Sequence, residues 1–445
     1  MKKQILIGVL VTALLVAGII AYNNFFVSEK ISALLPRAND SNVSAEYLNA
    51  QRTVEYYREQ IRKNPDDPKN YVELAQVFLQ EARVTGRDHE YVLNAMELID
   101  RALELDKTNL DAKLTKANIF LTQHKFEDAK KIGEWAAGKY PYSSSVYAIL
   151  TDAYVELGEY EKAVKVCDKL LSIKPDLRSY SRASYIRELH GQRESAIAAM
   201  RLAADAGVAG QENRAWVLYN LGNLYMQTGK IDTAAFIFNG ILQERPSYAF
   251  AHAGLSKVMT VKKNYSLALK HLLKAFQLMP EHLFIEQKAD LYLAMGNKEA
   301  EKKLINEVIV ALKEDEGKGW NVDFEYARFC LNHNINIKEA FVRAEREYKR
   351  RGNNVEVKTI YAWALYKMNN LNRAAKIIDE VLKFDSRNPL ARYYAGVIYS
   401  ALGKNDFAVR HLEKSLTKGF ACNPVFYADA QQRIGTLRNK LVASR

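Results

Sequence analysis

The chain repeats itself every 34 residues, and this period constrains its fold more than any other feature of the sequence. Prolines lie 34 residues apart at Pro141 and Pro175, and again at Pro246 and Pro280. Alanines take the same step within three groups: Ala129 and Ala163, Ala234 and Ala268, and Ala340, Ala374 and Ala408. A period of this length is typical of a solenoid, in which each repeat buries its apolar face against its neighbours.

The order of residue types within one period predicts a hairpin of two helices. A small residue, Gly222, permits close approach of the helices, and the aromatic Tyr225 follows three residues later. Gly229 is placed to end the first helix, because glycine adopts the left-handed conformation at little cost. Pro246 is placed to end the second helix, since proline cannot continue the hydrogen-bond ladder.

The segment LYNLGNLY (Leu218 to Tyr225), followed by Ala234, Phe238 and Pro246, resembles the tetratricopeptide repeat. The resemblance covers about residues 65 to 420. It implies an all-α fold, a right-handed superhelical solenoid of about ten helical hairpins. It also implies a scaffold for protein–protein interaction, with a protein or peptide ligand held in a concave groove.

We divide the chain into five segments along these lines. Solenoid ends need caps that cover the last apolar face, and helical patterns flank the repeats. The segments are an N-terminal transmembrane anchor or signal segment (1–27), a polar linker (28–45), a capping helix (46–64), the repeat solenoid (65–420) and a basic C-terminal capping helix (421–445).

The N-terminus predicts a membrane segment. Lys2 and Lys3 precede residues 5–21, which carry no charge and would form about 25 Å of helix. We expect residues 5–27 to contact the membrane as an uncleaved anchor; a cleaved signal peptide is the alternative. The two lysines favour a cytoplasmic amino end, which would place the repeats in the periplasm or at the cell exterior.

Other function classes receive little support from the sequence. The formal charge is +12, but the 64 basic residues are interleaved with 52 acidic ones and accompany no nucleic-acid motif, so nucleic-acid binding is not expected. We find no catalytic, cofactor or metal motif, and Cys167, Cys330 and Cys422 form no CxxC pair. We therefore predict a chain that is not an enzyme, with no cofactor and no metal. A catalytic site hidden in the degenerate eighth repeat, 321–351, is the alternative.

The resemblance also implies candidate ligand-binding residues. In such arrays the second, fifth, ninth and twelfth positions of each first helix face the groove. Trp216 and Phe250 have a structural alternative, packing between repeats, and a carboxylate clamp is disfavoured because its lysines are missing from repeats two, three and five. The candidates are Asn118, Asp152, Trp216, Tyr219, Asn223, Met226, Phe250 and Lys257.

These features together predict a membrane-anchored scaffold in a bacterial envelope, one that organises a secretion, surface-polymer or assembly complex. The alternative is a receptor at an organelle surface, similar to mitochondrial import receptors, with its repeats in the cytosol. The short Met-Lys-Lys start favours the bacterial scaffold.

Overall fold

The structure, a computed structural model, describes residues 31–37, 44–385 and 387–443, and this part of the chain is built of helices and their connections. It contains 22 α-helices and no strand among those residues, which confirms the prediction of an all-α repeat fold. The chain divides into two compact units, the first ending at Ile119 and the second beginning at Phe120.

Ten pairs of successive helices, which are repeats one to ten in chain order, follow one leading helix, α1 (Ala45–Lys63). The first helices of the pairs are α2 (Pro68–Thr85), α4 (Leu110–Thr122), α6 (Ser144–Glu156), α8 (Leu177–Leu189), α10 (Glu212–Gln227), α12 (Ala249–Val261), α14 (His282–Ala294), α16 (Asp323–Asn332), α18 (Val355–Lys367) and α20 (Pro389–Ala401). The second helices are α3 (Asp88–Leu105), α5 (Phe126–Lys139), α7 (Tyr160–Ile173), α9 (Arg193–Asp205), α11 (Ile231–Glu244), α13 (Tyr265–Leu278), α15 (Lys298–Gly317), α17 (Ile337–Arg351), α19 (Leu371–Phe384) and α21 (Asn405–Ser415). A 3-10 helix, Gly419–Cys422, and a final helix, α22 (Pro424–Ala443), complete the chain.

The turns inside the hairpins take the left-handed conformation that the glycine pattern predicts. Gly158, Gly229 and Gly403 have φ of 75°, 76° and 74°. Other repeats place a non-glycine residue at the same position with positive φ, and these residues are His124, Lys263, Asn334 and Asn369. The geometry of the turn is therefore retained even where the sequence does not supply the residue that adopts it most cheaply.

The small residues of the pattern lie where two helices meet, as predicted. The periodic alanines of the second helices are fully buried: Ala129, Ala163, Ala196, Ala234, Ala268, Ala340, Ala374 and Ala408. A Cβ at Gly222 would collide with the ring of Phe238, and a Cβ at Gly254 in the next repeat would lie 2.7 Å from the same ring. Phe238 thus fills the space between two first helices. A larger residue in place of Gly222 or Gly254 would leave too little room for its ring.

The first unit includes a short segment that packs on its helices. Residues 31–37, which fall within the predicted polar linker, have no regular secondary structure, yet Ile31 and Leu34 are buried. The Arg37 guanidinium donates to Glu81 on α2, with Nε 3.0 Å from Oε2, and both side chains are buried. Because a buried charge is tolerated only when it is paired, this ion pair ties the segment to α2.

The second unit coils so that the turns of early repeats touch the beginnings of late repeats, a set of contacts that we call the seam. At its first point the His124 ring lies 3.1 Å from the carbonyl oxygen of Asn321, whose amide donates to Gln123 at 3.0 Å. At its second point the Asn354 side chain donates to the carbonyl of Glu156 at 3.1 Å.

The seam continues with the same offset along the chain. Arg193 donates to Asp385 at 2.9 Å, and Arg387 donates to the carbonyl of Gly191. At the far end a Cβ on Gly419 would collide with the carbonyl of Met226. The hydrogen-bonded residues are 192 to 198 positions apart. The turn of each of repeats two to five therefore meets the chain six repeats further on.

Aromatic rings strengthen the middle of the seam. The Phe384 ring at the end of α19 lies 4.9 Å from the Tyr160 ring and 4.6 Å from the His190 ring, measured between centroids. The Tyr160 hydroxyl also accepts a hydrogen bond from the amide of Val355 at 2.9 Å. Apolar burial and hydrogen bonding thus act together to close one superhelical turn.

No helix within 31–37, 44–385 or 387–443 has the length and apolar character needed to cross a membrane. The predicted membrane segment, residues 5–27, lies outside the described residues.

Replacing glycine by alanine should destabilise the fold more at a turn within the seam than at an equivalent turn outside it. Gly158→Ala and Gly403→Ala each place alanine at a positive φ, which costs about 1 to 2 kcal/mol. A Cβ at Gly158 would also collide with the backbone of Asn353 and Asn354, whereas nothing lies within 4 Å of one at Gly403. We expect Gly158→Ala to lower the free energy of unfolding in urea by about 1 to 3 kcal/mol more than Gly403→Ala. Equal losses would show that the seam does not support the fold.

Candidate partner-binding face

The left-handed turn residues set a common register for the first helices. Counting back three, six, ten and thirteen residues from Gly229 gives Met226, Asn223, Tyr219 and Trp216, the predicted groove residues of repeat five. We call the side chains at these four positions in the first helices of the second unit the inner face. Asp152 on α6 and Phe250 and Lys257 on α12 belong to it, whereas Asn118 lies in the first unit on α4, where it is exposed.

Aromatic rings form a continuous row at one end of the inner face. The Trp216 ring lies 5.2 Å from the Phe250 ring and 5.7 Å from the Tyr219 ring, between centroids, and Phe250 lies 5.5 Å from Phe284. Trp216 packs between repeats and yet remains 44% exposed, whereas Tyr219 is buried. The sequence analysis offered packing between repeats and exposure in the groove as alternatives for Trp216, and the side chain does both.

The chain's own C-terminal segment covers part of the inner face. The 3-10 helix Gly419–Cys422 packs on α10 and α12, and α22 packs on α14. Met226 is buried at this contact. Tyr219 and Met226 were predicted to contact a ligand, but both side chains are buried within the second unit, so they support the surface from beneath.

The polar candidates are engaged with neighbouring repeats. The Lys257 ammonium lies 3.4 Å from the Asn223 side-chain oxygen and 5.8 Å from the centre of the Tyr219 ring. Asp152 accepts two hydrogen bonds from the Arg182 guanidinium, at 2.8 and 2.6 Å. These contacts hold the three side chains against the neighbouring repeats.

The seam brings a second set of polar groups together that the sequence analysis did not identify. Glu356 on α18 faces Glu156 on α6, and burial together with the Glu356 charge raises the pKa of Glu156 to about 7, although Arg351 opposes this shift. The Glu356 charge, followed by burial, raises the pKa of Tyr185 on α8 well above its ordinary value. Burial likewise raises the pKa of Glu188.

A signal for three of these residues was present in the sequence. The same register, counted back from Gly191 and Asn369, selects Tyr185, Glu188 and Glu356. What the sequence did not reveal is that residues from repeats three, four and nine face one another, because this depends on the angle between successive hairpins.

The comparisons with known proteins agree with the architecture. Models of the tetratricopeptide repeat match residues 144–177, which contain the hairpin α6–α7, and residues 217–248, which contain α11 and all but the first five residues of α10. The chain carries tetratricopeptide repeats. A model described as anaphase-promoting complex, cyclosome, subunit 3 matches residues 333–415. An array of tetratricopeptide repeats is a scaffold of the kind that binds other proteins.

Individual relatives are distant in sequence. A TPR repeat-containing protein of Methanocaldococcus jannaschii is 22% identical over 394 residues, which cover 88% of this chain and 57% of that protein. The chain thus spans little more than half the length of this relative. Among solved structures, a thermophilic TPR protein of Thermus thermophilus is 20% identical, with 46% of this chain and 98% of that chain covered and a TM-score of 0.36. Yeast Tom70 is 15% identical, with 89% and 96% covered and a TM-score of 0.33.

The degenerate eighth repeat, the alternative place for a catalytic site, contains ionisable groups that pair with one another. Arg343 on α17 lies 3.2 Å from Asp323, 2.9 Å from Glu316 and 3.0 Å from Glu339. These pairs stiffen a repeat that lacks the usual glycine and proline. Among the described residues, no group of three histidine, cysteine or acidic side chains is placed to hold a metal ion.

The raised pKa of Glu156 predicts a pH-dependent effect of its removal. Because its folded-state pKa of about 7 lies above that of an unfolded glutamate, this side chain contributes stability at pH 5 that is lost as the pH rises to 8. Glu156→Gln retains an oxygen that accepts from Arg351. We expect the variant to gain about 2 kcal/mol relative to the parent between pH 5.5 and pH 8, measured by urea unfolding.

Glu159→Gln, three residues away, is the matched control. Burial alone would raise the pKa of Glu159, but hydrogen bonds from Lys130 and Lys162 lower it, so this carboxylate is ionised at both pH values. The difference between this variant and the parent should stay constant from pH 5.5 to pH 8. A constant difference for Glu156→Gln as well would contradict the proximity of Glu156 and Glu356.

Proposed function

We propose that this chain is a membrane-anchored scaffold of a bacterial envelope that holds a peptide or helix of a partner protein on the inner face of its second unit. The observation that carries the proposal is the half-exposed Trp216 ring, which stands at the end of the aromatic row. Aromatic side chains supply large contact area at low entropic cost, and they are enriched among residues that dominate binding energy.

The packing of the Trp216 ring against neighbouring rings favours a binding role. Its ring rests on Tyr219 and Phe250, so its orientation is set before a partner arrives. A side chain that is already ordered loses little conformational freedom on binding, and the affinity gains accordingly. Neighbouring polar groups at Asn223 and Lys257 can then orient the backbone or side chains of the partner through hydrogen bonds.

The envelope location is supported by the N-terminal sequence alone. The uncharged stretch 5–21 and the preceding Lys2 and Lys3 favour an anchor with a cytoplasmic amino end. In this arrangement the membrane holds the scaffold near its partners, and the repeats lie on the non-cytoplasmic side. An organelle-surface receptor would have its repeats in the cytosol instead.

Removal of the exposed aromatic ring tests the binding face. We expect Trp216→Ala to lower recovery of crosslinked partners from native membranes by about tenfold or more, because truncation of a central aromatic contact costs about 2 kcal/mol. Phe236→Ala is the control, since Phe236 is 79% exposed on the second helix α11. If partner recovery falls with Phe236→Ala but not with Trp216→Ala, the binding surface lies outside the inner face.

Deletion of residues 1–27 and protease accessibility test the location. In intact cells of a bacterial host, we expect the repeats of the full-length chain to be inaccessible from the cytoplasm. A copy without residues 1–27 should remain cytoplasmic and lose its envelope partners. Repeats found on the cytosolic side of a membrane in the full-length chain would favour the receptor alternative.

A further inference from the structure

One buried carboxylate on the inner face has an oxygen without a partner. Glu286, at the fifth position of repeat seven on α14, has a side chain that is 6% exposed. Its Oε2 atom accepts a hydrogen bond from Arg328 on α16 at 2.7 Å, while Oε1 has no hydrogen-bond partner. Because buried polar atoms are nearly always paired, this oxygen points to a donor that arrives from outside the chain.

A second carboxylate lies one helical turn further along the same face. Asp290 occupies the ninth position of repeat seven, the position that Asn223 and Lys257 occupy in repeats five and six. Its side chain is 42% exposed, so an incoming group can reach it from the interior. Residues four apart on a helix are neighbours, which places the carboxylates of Glu286 and Asp290 side by side.

The surroundings of these two side chains leave a deficit of positive charge. The His333 ring lies 3.7 Å from Asp290 and 3.5 Å from Glu301 on α15. Burial lowers the pKa of His333 to about 4, so the ring is neutral and balances neither carboxylate. Arg328 therefore pairs with Glu286 and opposes the charge of Asp290, while Lys298 acts on Glu301 in this part of the described structure.

These surroundings raise the pKa of Asp290. Although part of the Asp290 side chain meets solvent, burial of the rest and the charge of Glu286 raise its pKa to about 7, while Arg328 opposes the shift and Glu301 adds to it. On the side of the 3-10 helix, Cys422 faces Asp290 as a thiol whose own pKa is raised by burial. A cation bound beside Asp290 would relieve this repulsion and stabilise the ionised carboxylate.

We propose that Glu286 and Asp290 form a subsite on the inner face that receives a lysine or arginine side chain of the bound partner. The donor groups of the basic side chain satisfy Glu286 Oε1 and pair with Asp290. The proposal rests on the proposed function and adds to it that the partner segment is basic. An organic cation fits better than a metal ion, because no group of three ligating side chains in the described residues can hold a metal.

Binding of a basic peptide to the detergent-solubilised full-length chain tests the proposal. The probe is a short capped peptide of alternating arginine and glycine, and the comparison peptide has glutamate in place of arginine. We expect saturable binding of the arginine peptide alone. Asp290→Asn and Glu286→Gln should each weaken it by about tenfold or more, since each removes a charge-assisted hydrogen bond.

The dependence on pH distinguishes this subsite from general attraction. A cation needs ionised Asp290, so binding releases a proton and the affinity should fall about tenfold between pH 8 and pH 6. Asp290→Asn should abolish this dependence. Glu307→Gln, an equal change of charge at an exposed position on α15, should leave both the affinity and its pH dependence unchanged.

Several results would overturn the proposal. They are an arginine peptide that does not bind, an effect of Glu307→Gln as large as that of Asp290→Asn, and spermidine that binds in preference to the peptide. Asp290→Asn relieves repulsion and keeps the fold, so it decides the matter if Glu286→Gln unfolds the chain. If the arginine peptide fails while Trp216 still determines partner recovery, the basic subsite is wrong and the scaffold function stands.

Discussion

The seam is the contact on which the rest of the second unit depends. A solenoid in which each repeat touches only its neighbours has an open interior, because nothing fixes one superhelical turn against the next. Here the turns of repeats two to five meet the chain six repeats later through hydrogen bonds, an ion pair and the rings of Tyr160, His190 and Phe384. Each contact is modest, at about 0.5 to 1.5 kcal/mol for a hydrogen bond, but they recur at a fixed offset and close the turn together.

Closure of the turn sets the electrostatics of the interior. Glu156 and Glu356 belong to repeats six positions apart in the array, and only the seam brings their helices face to face. Glu286 is buried on the inner face, so its charge acts on Asp290 more strongly than it would on an open surface. The raised pKa of Glu156, about 7, therefore follows from the fold, whereas the equally raised pKa of Asp290 also depends on Glu286, four residues earlier on the same helix.

The sequence predicted what depends on local spacing. The hairpins, the left-handed turns at Gly158 and Gly229 and the buried periodic alanines all follow from the 34-residue period, since each involves residues within one repeat or its neighbour. It did not predict the seam, which depends on small rotations between hairpins that add up over six repeats. For the same reason Met226 was expected in an open groove, whereas the C-terminal segment covers it. The membrane segment 5–27 remains a prediction, because it lies outside the described residues.

Hydrogen exchange at the amide of Val355 tests the seam most directly. Val355 is the first residue of α18, where an amide has no partner within its own helix. In the structure this amide donates to the Tyr160 hydroxyl, 195 residues earlier in the chain. We predict that it exchanges as slowly as amides in the middle of α18, and that Tyr160→Phe makes it exchange rapidly while the middle of the helix stays protected. Rapid exchange of Val355 in the unaltered chain would show that the turn is open and would contradict the account.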